Sequence, residues 1–310
     1  MTSSLLMQHT IASPVSCAGV SLHTGDMVDM RILPAAEDTG IVFIRTDLDA
    51  HNRVPARYDA VVETTLGTTI TNAHGVTVAT IEHVMAALWG MGIDNAMIEL
   101  NGPEVPIMDG SSEPFVFLLE CAGRTAQRAP RRVIEVLRQV MVTEKNSTAR
   151  LLPQEGFVLD ITIEFPHALI ARQQARYDFS ETTFKQALCR ARTFGFARDV
   201  EKMRSMGLAL GGSLHNAIVL ADDGILNDGG LRYRDEFIRH KALDCVGDYF
   251  LAGGIIHGLV ETTRPGHGIN NALLRALFAD PANYRIVTAE DISRPVRRPE
   301  VAEAHTSAHI

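Results

Sequence analysis

Residues 235–250, Asp-Glu-Phe-Ile-Arg-His-Lys-Ala-Leu-Asp-Cys-Val-Gly-Asp-Tyr-Phe, constrain the fold more than any other stretch of the chain. On a helix, His240 and Asp244 lie about 40° apart, one turn above each other, and Asp248 follows a turn later. Ile238, Ala242, Leu243, Val246, Tyr249 and Phe250 fill the opposite arc. A long helix is therefore expected, with an apolar back and a front of one imidazole, the Lys241 ammonium and two carboxylates. A His nitrogen and an Asp oxygen at this spacing can reach one divalent metal. Taken alone, such a pattern is more often a solvated polar face, so the rest of the chain has to decide.

Length favours two domains over one: 310 residues, with 46% hydrophobic and 21% charged. A net charge of −8 argues against a nucleic-acid partner, because phosphate contacts need a basic surface. Cys17, Cys121, Cys189 and Cys245 form no CxxC pair and fit free thiols in a reducing compartment. No basic, apolar leader opens the chain, and no run of ~18 apolar residues could span a membrane. The cytoplasm is the expected location.

Strands are expected at 27–33, 40–46, 76–78 and 96–100, a helix from a Thr80 N-cap to Gly90 and Gly92, and a second helix opening at Ser111/Ser112. The Arg-, Ala- and Pro-rich segment 124–132 reads as a linker. Beyond it come strands at 133–143, 149–152, 157–165, 217–220 and 255–260, and helices at 181–189, 199–206 and 268–278 besides the long one. Both halves run strands, helix, strand, helix. The expected class is α+β, with residues 1–128 and 129–290 as similarly built layered domains and 291–310 as a loose C-terminal tail.

Glu82-His83 opens an otherwise apolar helix, where an unpartnered carboxylate and imidazole would cost several kcal/mol. Ile81 and Met85 stand where the motif would need histidines around Glu82, so this is not His-Glu-x-x-His. His267 sits in the Gly-rich turn Arg264-Pro-Gly-His-Gly. Arg190–Gly195 and Leu210-Gly-Gly-Ser213-Leu are glycine turns that match neither a phosphate loop nor a nucleophile elbow. His83, His240 and Asp244 together would make a two-His, one-carboxylate set, which leaves a zinc ion one open position. Zinc makes water nucleophilic near neutral pH. Glu82 could then take its proton, and His267, backed by Asp248, could protonate a leaving amine.

Seven segments occur in order: Gly19-Val-Ser-Leu-His23-Thr-Gly25, Thr80-Ile-Glu-His83-Val-Met-Ala-Ala-Leu88, Gly92-Ile-Asp-Asn95, Pro106-Ile-Met-Asp-Gly-Ser111, Arg192-Thr-Phe-Gly195, His240-Lys-Ala-Leu-Asp244-Cys-Val-Gly-Asp248 and Gly266-His267. They resemble the bacterial UDP-3-O-acyl-N-acetylglucosamine deacetylases of lipid A biosynthesis, over nearly the whole chain except the tail. The resemblance implies two β-α-α-β layered domains, each with a small insert and with the active site between them. It implies a zinc-dependent amidohydrolase that releases acetate in the committed step of that pathway. His83, His240 and Asp244 would be the zinc ligands, Glu82 the base, His267 with Asp248 the acid, and Thr193 the oxyanion donor. Lys241 and Arg264 would lie near the sugar-diphosphate, Phe165 would stack on uracil, and His23 would lie near the site.

An acyl passage would be lined by Phe194, Val200, Ala209, Gly212, Ser213 and Ala217, with Leu66 at its mouth. Thr65 stands where the family often carries a larger apolar residue, which leaves passage width and acyl length open. Fe2+ could replace Zn2+ in such a donor set. The partner expected is a nucleotide-sugar bearing an acyl chain, and the chain is expected to be a monomer. Two rivals stand beside this reading: a zinc deacetylase for another acylated sugar, and a non-catalytic binder with structural zinc.

Overall fold

The alternation Met-Val-Asp-Met-Arg-Ile builds the strand Met27–Pro34, with Val28, Met30 and Ile32 buried and Met27, Asp29 and Arg31 exposed. In the computed structural model, which describes residues 6–293, this strand belongs to a five-stranded sheet. Its order is Val15–Val20, Met27–Pro34, Ala96–Leu100, Ile41–Arg45, Arg53–Pro55. Ile41–Arg45 and Ala96–Leu100 run parallel; the other neighbours are antiparallel. The chain between them carries the small sheet Val61–Glu63, Thr69–Thr71, Thr77–Val78 and then helix α1 (Glu82–Gly90). Helix α2 (Glu113–Ala122) follows, with Pro114 in its first turn.

A seven-stranded sheet forms from later residues, in the order Val140–Glu144, Ser147–Leu152, Ile255–Thr263, Arg132–Val136, Tyr284–Thr288. Phe157–Glu164 joins Ile255–Thr263 in parallel, and Arg172–Asp178 lies beyond it. The helices here are α3 (Glu181–Ala187), α4 (Ala197–Ser205), α5 (Glu236–Phe250), α6 (His267–Ala279) and α7 (Ala289–Ser293). A three-stranded unit, Phe194–Phe196, Ile218–Ala221 and Gly224–Ile225, sits between α3 and α5 in the chain. The fold is α+β, as expected.

Helices α1 and α5 pack directly on each other, and Gly247 sets how closely. A Cβ at that position would stand 2.0 Å from the carbonyl oxygen of Glu82, so only hydrogen allows this approach. Gly247→Ala is expected to cost about 1–3 kcal/mol through overpacking, measured as a lower urea midpoint with an unchanged slope. A midpoint equal to the parent's would show that the crossing has slack.

Several local expectations are corrected. Segment 124–132 is no linker: Arg124–Pro130 is a strand antiparallel to Met7–Ile11. Its polar side chains disguise a backbone that pairs with residues more than a hundred positions earlier. The run at 133–143 is two strands, Arg132–Val136 and Val140–Glu144, in different registers of the sheet. Thr80 does not cap α1. It adopts φ 58°, and its hydroxyl donates to Glu104 Oε1 at 3.0 Å instead. Ser112 likewise gives its hydroxyl to the His83 carbonyl at 2.7 Å rather than to a helix amide. The front of α5 is not solvated, since His240, Asp244 and Asp248 are each at most 4% exposed. Most of the expected tail, from residue 294 onward, lies outside the described residues.

Candidate metal centre

His83 enters from the first turn of α1, and His240 and Asp244 from successive turns of α5. His83 Nε2 lies 3.6 Å and His240 Nε2 3.3 Å from Asp244 Oδ1. The two rings meet edge to face, 5.0 Å between centroids. One donor atom from each of the three residues falls within 4.8 Å of the others.

Protons are the key to this cluster. His240 Nδ1 is 3.0 Å from the Ala191 carbonyl, so that nitrogen carries hydrogen and donates. Burial drives the His240 pKa down to about 3 against the pull of Asp244. Its Nε2 therefore presents a lone pair to a carboxylate oxygen. Asp244 Oδ1 is buried and has no hydrogen-bond partner. Burial alone would raise the Asp244 carboxyl; charged neighbours, the Lys241 ammonium 3.0 Å from Oδ2 among them, outweigh it and hold the carboxyl well below its ordinary range. Acceptors facing one another out of water are costly. A cation between them turns that repulsion into coordination, and the group could hold a metal ion.

A second set of groups adjoins the first. Glu82 is buried beside His83, and burial raises its carboxyl above the ordinary value despite the attraction of His267 and His83. Its Oε2 accepts the Thr68 amide at 2.9 Å, leaving Oε1 3.9 Å from His267 Nε2. His267 is the first residue of α6. Its Nδ1 bonds Asp248 Oδ2 at 2.9 Å, and the same oxygen accepts the Asn270 amide at 2.8 Å. Burial and the positive helix terminus both oppose an imidazolium there. Asp248 and Glu82 nonetheless outweigh burial and push the His267 pKa up to about 9. Both sets open onto one cleft of about 480 Å³.

A family model described as UDP-3-O-acyl N-acetylglycosamine deacetylase matches residues 8–279. The chain belongs to that family. It is the family to which the sequence motifs pointed. A relative in Phenylobacterium zucineum, UDP-3-O-acyl-N-acetylglucosamine deacetylase, is 50% identical over 293 residues, covering 94% of this chain and 100% of that protein. Proteins of the same name in Hahella chejuensis and Chromohalobacter salexigens are each 47% identical over 289 residues, covering 93% of this chain and 95% of each relative.

Within this member of the family, Leu66, Glu82, His83, Thr193, Phe194, His240, Lys241, Asp244, Arg264 and His267 all line the cleft. Thr193 is fixed by its backbone: its amide donates to Gly110 O at 2.7 Å and its carbonyl accepts from Ile218 at 2.8 Å. Leu66, Thr80 and Arg264, all in the lining, hold φ of 62°, 58° and 53°, a sparse region for such residues. Asp248 stands behind His267. Phe165 packs edge-on behind Phe194, 5.5 Å between centroids, outside the lining. His23 also stands outside it, with its amide on both oxygens of Glu104 and a buried Nε2 that has no hydrogen-bond partner. Gly212, Ser213, Val200, Ala209 and Ala217 do not reach the lining either; Gly212 lies against the cleft residue Leu22.

Sequence reasoning missed Thr68, Asn270, Thr64, Glu144 and Lys145. Asn270 had a signal, because it lies one helical turn after His267 and shares its face. Thr68 had none, being a small polar residue in a connection before a three-residue strand.

Proposed function

We propose that this chain hydrolyses the N-acetyl group of UDP-3-O-acyl-N-acetylglucosamine, releasing acetate and leaving a free amine, with zinc held by His83, His240 and Asp244. The observation that carries this reading is the unpartnered Asp244 Oδ1 between two imidazole nitrogens on the cleft wall, next to the Glu82–His267 pair. The donor set fits zinc: two neutral-capable imidazoles and a carboxylate, with the Ala191 carbonyl fixing one tautomer. A closed structural site would show a fourth protein donor, and the described residues bring together three. When bound, zinc supplies Lewis-acid polarisation of the amide carbonyl and lowers the pKa of water.

The protein groups divide the remaining work. Glu82 Oε1 is the free oxygen of a carboxylate pinned at Oε2, and it takes a proton from the attacking water. The Thr193 hydroxyl donates to the oxygen that becomes negative as the carbonyl carbon turns tetrahedral. His267 Nε2 gives its proton to the amide nitrogen as the C–N bond breaks, while Asp248 balances the imidazolium at Nδ1. Lys241 and Arg264 supply positive charge for the sugar-diphosphate. Phe194 and Leu66 supply apolar surface for the acyl chain, continued by Gly212 and Ser213. His23 and Phe165 support the site from just outside it, Phe165 as the uracil platform. This reading includes α+β domains at 1–128 and 129–290, a cytoplasmic monomer, and the committed step of lipid A biosynthesis.

Acetate release from the UDP-sugar, measured before chelation, after it and after zinc is restored, tests the proposal. Activity that survives complete metal removal would end it. Equal turnover of the acylated sugar lacking UDP would redirect it to another substrate.

The pH profile offers a second check. His267 must be protonated to act as the acid, so a pKa raised to about 9 sets the alkaline limb, and the rate falls above that pH. Asp248→Asn removes the charge that raises this value. The alkaline limb is then expected to move down toward the ordinary 6.5, and a limb that stays in place would separate it from His267.

A further inference from the structure

We propose that Thr68 is a positioning residue for this hydrolysis, aligning both carboxylates on which proton transfer depends. The inference rests on the roles given to Glu82 and His267 above. Thr68 is 2% exposed. Its amide donates to Glu82 Oε2 at 2.9 Å and its hydroxyl to Asp248 Oδ1 at 2.6 Å. One residue therefore touches the proposed base and the partner of the proposed acid. It does so from the first half of the chain, 180 residues before Asp248.

The two bonds select which oxygens remain for the chemistry. The terminal torsion of a carboxylate side chain is broad and roughly two-fold, so packing alone does not fix its plane. At Asp248, the hydroxyl occupies Oδ1 and turns Oδ2 toward His267 Nδ1 and the Asn270 amide. At Glu82, the amide occupies Oε2 and leaves Oε1 facing His267 Nε2 across 3.9 Å. The preceding Gly67 fits this arrangement, because a Cβ there would stand 3.0 Å from Glu82 Oε1. Asn270 holds Asp248 Oδ2 and is itself fixed by Tyr249, whose hydroxyl lies 3.2 Å from Asn270 Oδ1. The hydroxyl of Thr68 is the matching hold on Oδ1.

Thr68→Val in the zinc-loaded full chain deletes the hydroxyl at nearly constant volume and keeps the amide. We expect kcat to fall about 10- to 100-fold, the range for loss of an outer-shell partner. KM and zinc content are expected to stay at parental values, and Thr68→Ser to recover most of kcat. In the metal-free protein, the His267 Nδ1 resonance in a 15N spectrum should shift in the Val variant and not in the Ser variant. Should Thr68→Val fail to fold, Thr68→Ala carries the same expectation. Parental kcat in the Val or Ala variant, equal losses in Val and Ser, or a raised KM at unchanged kcat would overturn the proposal. Glu82→Gln separates the two levels: if it is inactive while Thr68→Val turns over normally, only the role of Thr68 fails. If Glu82→Gln keeps full activity, the hydrolase roles fail as well.

Discussion

Glu82→Gln is expected to keep its metal and lose turnover by about 10³-fold, within the usual range for a lost general base. The substitution is nearly isosteric. Its amide oxygen can still accept the Thr68 N–H, so the side chain stays in place while its basicity disappears. Burial is what makes the native carboxyl suited to the task, since it raises the proton affinity of Glu82 above that of an exposed glutamate. Because Glu82 is not one of the three clustered donors, metal content measured by elemental analysis should match the parent. Full turnover in this variant would remove Glu82 from the mechanism, and loss of metal would make it a ligand instead.

His83→Ala is expected to fail in the opposite way, losing metal first and activity as a consequence. Loss of an outer hydrogen-bonding partner already costs about 10- to 100-fold in affinity at such sites; removal of a direct donor should exceed that. The metal-free variant need not be less stable than the metal-free parent. It has one buried imidazole fewer beside the unpartnered Asp244 Oδ1. Saturating zinc at about 100 times its Kd adds roughly 2.7 kcal/mol to a protein that binds it only when folded. Thermal unfolding with and without zinc should therefore show a clear shift for the parent and almost none for His83→Ala. Full metal occupancy in the variant would refute the ligand assignment.

These expectations draw unevenly on what the sequence made readable. Helix α5 was plain, because His240, Asp244 and Asp248 recur at helical spacing against an apolar arc. That they point inward was not, since the arc predicts one buried face and the helix is enclosed on both. Thr80 and Ser112 show a second limit. Each has the chemistry of a helix cap, but Glu104 and the His83 carbonyl compete for their hydroxyls from distant parts of the chain. Arg124–Pro130 and Arg172–Asp178 were lost for a third reason. Their backbones supply the pairing, and their side chains are too polar to advertise a strand. Thr68 combines all three difficulties, with no periodicity, no strong propensity and partners drawn from two helices.

The crossing at Gly247 reaches beyond chemistry. His83 stands on a helix of the first half and His240 and Asp244 on one of the second, so a bound ion would rivet the halves of the molecule together. A chelator would then do more than silence the reaction. Amide exchange along α1 and α5 should quicken on stripping, and at a thousand times Kd the restored ion would resist their parting by about 4 kcal/mol.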